Sequence, residues 1–260
     1  MSQFLSRLEM VSELAGNRHL MFASAILDAS GAAMAGPAAF TAEGSRRLKS
    51  SMVDMGWSYV EQERAIMADV IDETAKDAHR SAIEQLGYSD PEKSFDALSE
   101  RFSQSHAATE EYLYGEVVSQ TNRDVNQVLR DYQNASLRVL MTADSKGISR
   151  TQAGMQVIME EISIRRRLWF RDRAGRKIPS QKHIRRTWRM VLRDHWLTVY
   201  AQSMAMHGIT EAVIWHPDPN HHAFGLKVDL TDVDLGLANR DEIFHPNART
   251  LLALTVTEAA

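Results

Sequence analysis

Through the first part of the chain, to about Ser145, apolar residues recur at the three- and four-residue intervals of a helix, and this periodicity narrows the possible folds more than any other feature. Phe4, Leu5, Leu8, Val11 and Leu14 mark a first helical stretch that Gly16 ends or kinks. Ala29 to Phe40, with two glycines, Pro37 and little besides alanine, predicts a flexible small-residue connector. A long helix is then expected from about Ala42 to Leu86. Met52, Met55, Tyr59, Ile66, Val70 and Ile71 form its apolar stripe, Gly56 weakens its middle, and Gly87 is its C-cap. Asp90-Pro91 pairs a cap residue with proline in the first helical position, opening a helix to about Met141. That helix is dense in Gln120, Asn122, Asn126, Gln127, Gln133 and Asn134, which suits a helix that packs on partners as well as on its own chain.

From Ala143 to Gly147 the pattern breaks in a short polar link, and the domain boundary belongs there, giving residues 1–146 and 147–260. Ser149-Arg150-Thr151-Gln152 is a capping box opening a helix to about Ile162. Leu168 to Ile178 reads as a hairpin with Ala174-Gly175 at its turn, and Ser180 as the cap of a long helix stopped by Gly208. Ala212 to Trp215 is a short buried strand, Phe224 to Leu237 loop and strand, and Thr250 to Thr257 a last β-prone run. The fold class is therefore α+β and mostly α, with long N-terminal helices followed by a small α+β domain.

The chain has no cysteine, which removes disulfides, thiolate metal sites and cysteine nucleophiles. No apolar run approaches the roughly 18 residues of a membrane span. A formal net charge of −4 conceals a strong asymmetry: Arg165 to Arg193 contains twelve Lys or Arg and one acid, Asp172. Arg165, Arg166, Arg167, Arg171, Arg173, Arg176, Lys177, Lys182, Arg185, Arg186, Arg189 and Arg193 are interleaved with Trp169, Phe170 and Trp188. Cations neutralise phosphates with release of counterions, and aromatic rings stack on bases, so this stretch is a candidate contact for nucleic acid or for an acidic protein partner. The competing reading is a solvated surface paired with the chain's own acidic residues.

Evidence for chemistry is thin. No nucleophile elbow and no phosphate-binding loop is present. The pairs Glu110-Glu111 and Glu160-Glu161 sit on helices, where adjacent residues diverge. His216, His221, His222 and His245 with Asp218 and Asp229 supply metal-ligand types without a recognised spacing, and loop histidines are the plainer reading.

Read as a whole, the C-terminal part from Gly147 to about Val256 shows an ordered set of features. It opens with Gly147-Ile148-Ser149, followed by Ala153 and Ile158. A second helix carries Arg186-Thr187 near its start and leads through Gly208-Ile209 to Val213-Ile214-Trp215. An Asp loop, Asp218-Pro219-Asn220-His221-His222, comes next, and the set closes with His245-Pro246-Asn247-Ala248-Arg249-Thr250. This order resembles the minor head proteins of tailed bacteriophages, the Mu-type head morphogenesis family. Ala248 and Thr250 stand where that pattern carries cysteines, so the resemblance brings no metal site, and no cofactor is expected. It implies a non-catalytic virion component in several copies, assembled in the bacterial cytoplasm. The implied partners are the portal protein, capsid proteins and packaged double-stranded DNA, with no membrane. The role would lie in head assembly and in DNA packaging or ejection. His245, Pro246, Asn247 and Arg249 would shape the turn before the final strand, with Arg249 paired to Asp218 or Asp229. The alternatives are a cytoplasmic nucleic-acid-binding regulator and a metal-dependent enzyme built on the four histidines.

Overall fold

The computed structural model of the 260-residue chain describes residues 1–36, 38–88, 90–163, 168–172, 174–230 and 248–254, with every side chain in them except those of residues 92, 93, 97–99 and 160–163. Among the described residues five helices and five short strands follow in order: α1 Ser2–Ala35, α2 Ala42–Gln85, α3 Pro91–Lys146, α4 Arg150–Ser163, β1 Trp169–Arg171, β2 Lys177–Pro179, α5 Ser180–Met206, β3 Glu211–Trp215, β4 Lys227–Asp229 and β5 Leu251–Ala253. The expected class, α+β and mostly α, is the one observed. Among the described residues no helix is long and apolar enough to cross a membrane.

Two boundaries differ from the sequence reading. Gly16 neither ends nor kinks a helix, and the small-residue stretch is not a connector, because α1 runs unbroken to Ala35. His19, Phe22, Ala23, Ile26, Ser30 and Met34 all lie buried at helical spacing. Their burial outweighs the roughly 1 kcal/mol that a helical glycine costs. Only six residues separate the end of α1 at Ala35 from the start of α2 at Ala42. Among them Phe40 takes a positive φ of 59°, strained for a residue with a side chain. Its amide donates to the Tyr132 hydroxyl at 3.1 Å and its ring stacks on that of Tyr132. Likewise Ala143 to Lys146 is helix rather than link. The expected loop and strand of Phe224 to Leu237 and the β-prone run Thr250 to Thr257 lie in part outside the described residues, while two cap signals behave as read. Gly87 has φ 81°, with Tyr88 N–H reaching the Ile83 carbonyl and Gly87 N–H that of Glu84, the paired bonds of a glycine-capped helix end. The Ser149 hydroxyl accepts from Gln152 N–H at 3.2 Å while the Gln152 side-chain oxygen accepts from Ser149 N–H at 3.2 Å, a complete capping box.

The chain forms two compact units, each assembled from separated segments: Met1–Ala15, Arg64–Gly115 and Arg185–Ala260 in the first, Gly16–Glu63 and Glu116–Ile184 in the second. The sequence boundary at Lys146 and Gly147 falls inside the second unit, at the end of α3.

The core of the first unit is a column of rings. Phe4 stacks on Trp196, with centroids 5.2 Å apart, and Trp196 on Tyr200 at 5.0 Å. Both large rings also meet their polar needs: Trp196 Nε1 donates to Asp77 at 3.2 Å and Tyr200 to Gln85 at 3.0 Å. A three-stranded antiparallel sheet in the order β4-β3-β5 belongs to this unit, with Ala212 and Ile214 of β3 and all of β5 buried. Leu254 N–H, just past β5, donates to Gln85 at 2.7 Å.

The second unit is pinned by a buried carboxylate. Asp124 on α3 is fully buried. Its Oδ2 accepts from His19 Nε2 of α1 at 2.8 Å. Its Oδ1 accepts from Gln120 at 2.9 Å and from the Ser180 hydroxyl at 2.8 Å. The Tyr59 hydroxyl of α2 lies 3.1 Å from His19 Nδ1. Beside it the buried Glu63 holds Arg18 through both carboxylate oxygens. Ser180, expected as a helix cap, thus gives its hydroxyl to Asp124.

Gly56 lets α2 approach α3 closely, since a Cβ there would meet Thr121 Cγ2 at 3.2 Å, whereas a Cβ at Gly115 meets nothing within 4 Å. Gly56→Leu is expected to lower stability by about 1–3 kcal/mol and Gly115→Ala to raise it by about 0.5–1 kcal/mol, read by chemical denaturation.

Candidate nucleic-acid interface

The basic stretch is divided between the units. Arg165, Arg166, Arg167 and Arg173 lie outside the described residues, as do His245, Pro246 and Asn247. Arg171, Arg176, Lys177 and Lys182 belong to the second unit, and Arg185, Arg186, Arg189 and Arg193 to the first.

In the second unit the expected hairpin forms. β1 and β2 pair antiparallel with Trp169 opposite Pro179, Phe170 opposite Ile178 and Arg171 opposite Lys177. Side chains alternate across a strand, so Trp169, Arg171, Lys177 and Pro179 share one face and Phe170 and Ile178 the other. The second face is anchored. The Phe170 ring lies flat on His183, with centroids 3.8 Å apart, and the Arg123 guanidinium sits 5.2 Å from its centre. Trp169 N–H donates to Gln127 of α3 at 3.4 Å, and Ser180 N–H to the Leu168 carbonyl at 3.1 Å. The turn is held by Asp172, which accepts from Arg176 N–H at 2.8 Å and Arg176 Nε at 2.7 Å. These hydrogen bonds keep its carboxyl below the usual carboxylate range.

The first face points its cations outward. Arg171 and Lys177 are exposed, and Lys177 Nζ stands 5.4 Å above the half-buried Trp169 ring. Exposed Lys182 follows in the first turn of α5. The arrangement offers positive charge and one indole edge on a rigid two-stranded ribbon. Of the three aromatics noted in the sequence, Trp169 alone remains available for stacking: Phe170 is committed to His183, and Trp188 is fully buried. Arg123 and His183 escape sequence reasoning, because only the fold brings α3 and α5 to Phe170.

In the first unit the bases turn inward. Arg185 pairs with Glu9 and with Glu13, the latter at 2.6 Å, and Arg189 with Glu9 at 3.1 Å. Arg193 is 1% exposed, bonds Asp194 at 2.7 Å and reaches the Ala248 carbonyl at 3.5 Å. Arg186 is exposed. Arg249 pairs with neither Asp218 nor Asp229 among the described residues. It is the outward residue between buried Ala248 and Thr250, and its charge acts on Arg189.

His216 and His221 stack with centroids 4.0 Å apart, and His221 and His222 lie at 4.3 Å. Their Nδ1 atoms serve the loop itself: Asp218 N–H donates to His216 and Ala223 N–H to His221. Among the described residues no group of three His, Asp or Glu is placed to hold a metal ion.

No protein-family model, no curated protein and no solved structure matches the chain.

The hairpin's attachment depends on Asp124 through Ser180. Asp124→Ala leaves His19, Gln120 and Ser180 without their shared acceptor, and is expected to cost about 3–5 kcal/mol in denaturant unfolding. Exposed Arg171→Ala should stay within about 0.5 kcal/mol of the parent.

Proposed function

We propose that this chain is a non-catalytic binding protein of the tailed-phage minor-head type, and that the hairpin of its second unit holds the phosphate backbone of packaged double-stranded DNA. The observation that carries the DNA contact is the pair of exposed cations Arg171 and Lys177 beside the half-buried Trp169, on a ribbon whose opposite face is anchored by Phe170. Such a face contacts phosphates without the cost of ordering a loose loop. The ordered motif set of residues 147–256 supports the minor-head assignment, with portal and capsid proteins as the partners. The paired bases Arg185, Arg189 and Arg193 support the fold of the first unit instead, because their charge is already met within it.

Each phosphate contact contributes about −0.9 to the slope of log K against log salt. Arg171→Glu with Lys177→Glu is expected to make that slope shallower by about 2 and to weaken duplex binding, while Arg185→Glu leaves the slope unchanged. Equal slopes for parent and double variant would remove the DNA contact. The minor-head assignment is checked separately by mass spectrometry of nuclease-treated, density-purified particles. It calls for this chain at roughly portal-like copy number, and fails if the chain stays free in the lysate.

A further inference from the structure

Three histidines of the first unit have no part in the nucleic-acid reading. His79, on α2, lies with its ring centroid 5.7 Å from that of Phe95 and 5.9 Å from that of Phe102, both on α3. Its Nδ1 is 2.9 Å from the Ser203 hydroxyl on α5. Ser203 donates its own proton to the Val199 carbonyl at 2.8 Å, so toward His79 it can only accept. Nδ1 therefore carries the ring proton. Nε2 is left as a bare lone pair, buried and without a hydrogen-bond partner. His195, on α5, is 2% exposed. Its Nδ1 lies 3.1 Å from the Thr109 hydroxyl and 3.3 Å from that of Ser105, both on α3. Its ring meets that of His106 edge to face at 4.9 Å, and the Nε2 atoms of both are buried without a partner.

Three helices are thus joined by neutral imidazoles whose second nitrogens face no acceptor. A proton added to His79 must go to Nε2, where no protein acceptor among the described residues receives the new N–H. Protonating His106 and His195 together sets two positive rings against each other. The surroundings give little relief. Around His79, α3 presents two phenylalanines, α5 presents Ser203, and His207 beyond α5 adds a like charge when protonated. Around the pair, α3 presents hydroxyls, and α2 presents Asp72, whose field favours charge on His106. On α5 the neighbours Arg193 and Asp194 are paired with each other.

We propose that His79, His106 and His195 form an acid-released latch of the first unit: neutral, they bridge α2 to α5 and α3 to α5, and protonated, they force these helices apart. In the second unit the buried His19 instead faces the Asp124 carboxylate. Burial, with like charge from His207, pushes His79 down to about 4. Burial, with like charge from His106, pushes His195 down to about 3, and burial also lowers His106. Each folded value lies below the unfolded value near 6.5. Between the two, the unfolded segment binds protons that the folded one does not, so stability is full above the unfolded pKa and falls with pH below it.

Hydrogen exchange of the full chain, followed by mass spectrometry at about pH 7.5 and about pH 5.0 and corrected for intrinsic rates, tests this. Each histidine that cannot charge in the folded state shifts opening about tenfold per pH unit below its unfolded value. Peptides from 64–85, 91–115 and 185–206 are expected to exchange at least about tenfold faster at the lower pH, while those from 16–35 and 116–146 keep their protection. His79→Asn with His195→Asn, which retains the Nδ1-side hydrogen bonds and cannot titrate, should abolish most of that difference. Unchanged protection of the first unit at the lower pH would overturn the latch, and so would a double variant with the parent's acid response. Should the double variant not fold, histidine ring proton resonances of the parent decide: the latch requires the three rings to change together, at the pH where the first unit opens. Separate titrations near pH 6.5 with the fold intact would refute it.

Discussion

A carboxylate sealed from water must be met by donors, and in the second unit that demand is answered by most of its helices at once. Asp124 draws His19 from α1, Gln120 from its own helix α3 and Ser180 from the start of α5, with Tyr59 of α2 joined through His19. Burying one ionised group without these partners costs several kcal/mol, so the helices share a register that a purely apolar core would leave freer to slide. The hairpin inherits this order, because β2 ends at Pro179 and the next residue is Ser180. What stands out from the unit as a basic ribbon is therefore fastened at its root by a fully buried carboxylate.

The local signals of the sequence were legible wherever a single residue type has a single job. Gly87, Gly208, the Ser149 capping box and the Gly175 turn all mark real ends and turns, since few other side chains satisfy those geometries. The helical content followed from periodicity alone. The end of α1 was not legible: Gly16 and the alanines of 29–35 read as breakers, but a helix tolerates weak formers when each turn buries a side chain, and local propensity carries no record of burial. The polarity of α3 misled in the same way. Gln120 and Gln127 suggest a face awaiting partners, yet one serves Asp124 and the other receives Trp169 N–H.

Charge was legible as composition and not as placement. Twelve bases between residues 165 and 193 look alike in the sequence. Arg193 is a buried structural residue, Arg185 and Arg189 are consumed by Glu9 and Glu13, and Arg176 closes its own turn on Asp172. Among the described residues Arg171, Lys177, Lys182 and Arg186 are exposed with no acid paired to them, although the Arg171 guanidinium also donates to the Gly175 carbonyl at 3.2 Å. Glu9, which neutralises Arg185, lies 176 residues from it, a distance no local pattern spans.

The stacking of Phe4 on Trp196 also orders events in time. A chain made from its N-terminus holds Phe4 without its ring partner until Trp196 has been added, and β3 without one neighbour until Leu251 to Ala253 follow. The second unit needs nothing beyond Ile184. Synthesis therefore favours its assembly first, with the opening residues of α1 waiting on a partner 192 residues further along the chain. Contacts of such long sequence separation close slowly, because the loop entropy is lost before the contact rewards it. The first unit is thus the late, slow step of folding, and during the interval its apolar residues stand uncovered, open to association with other newly made chains.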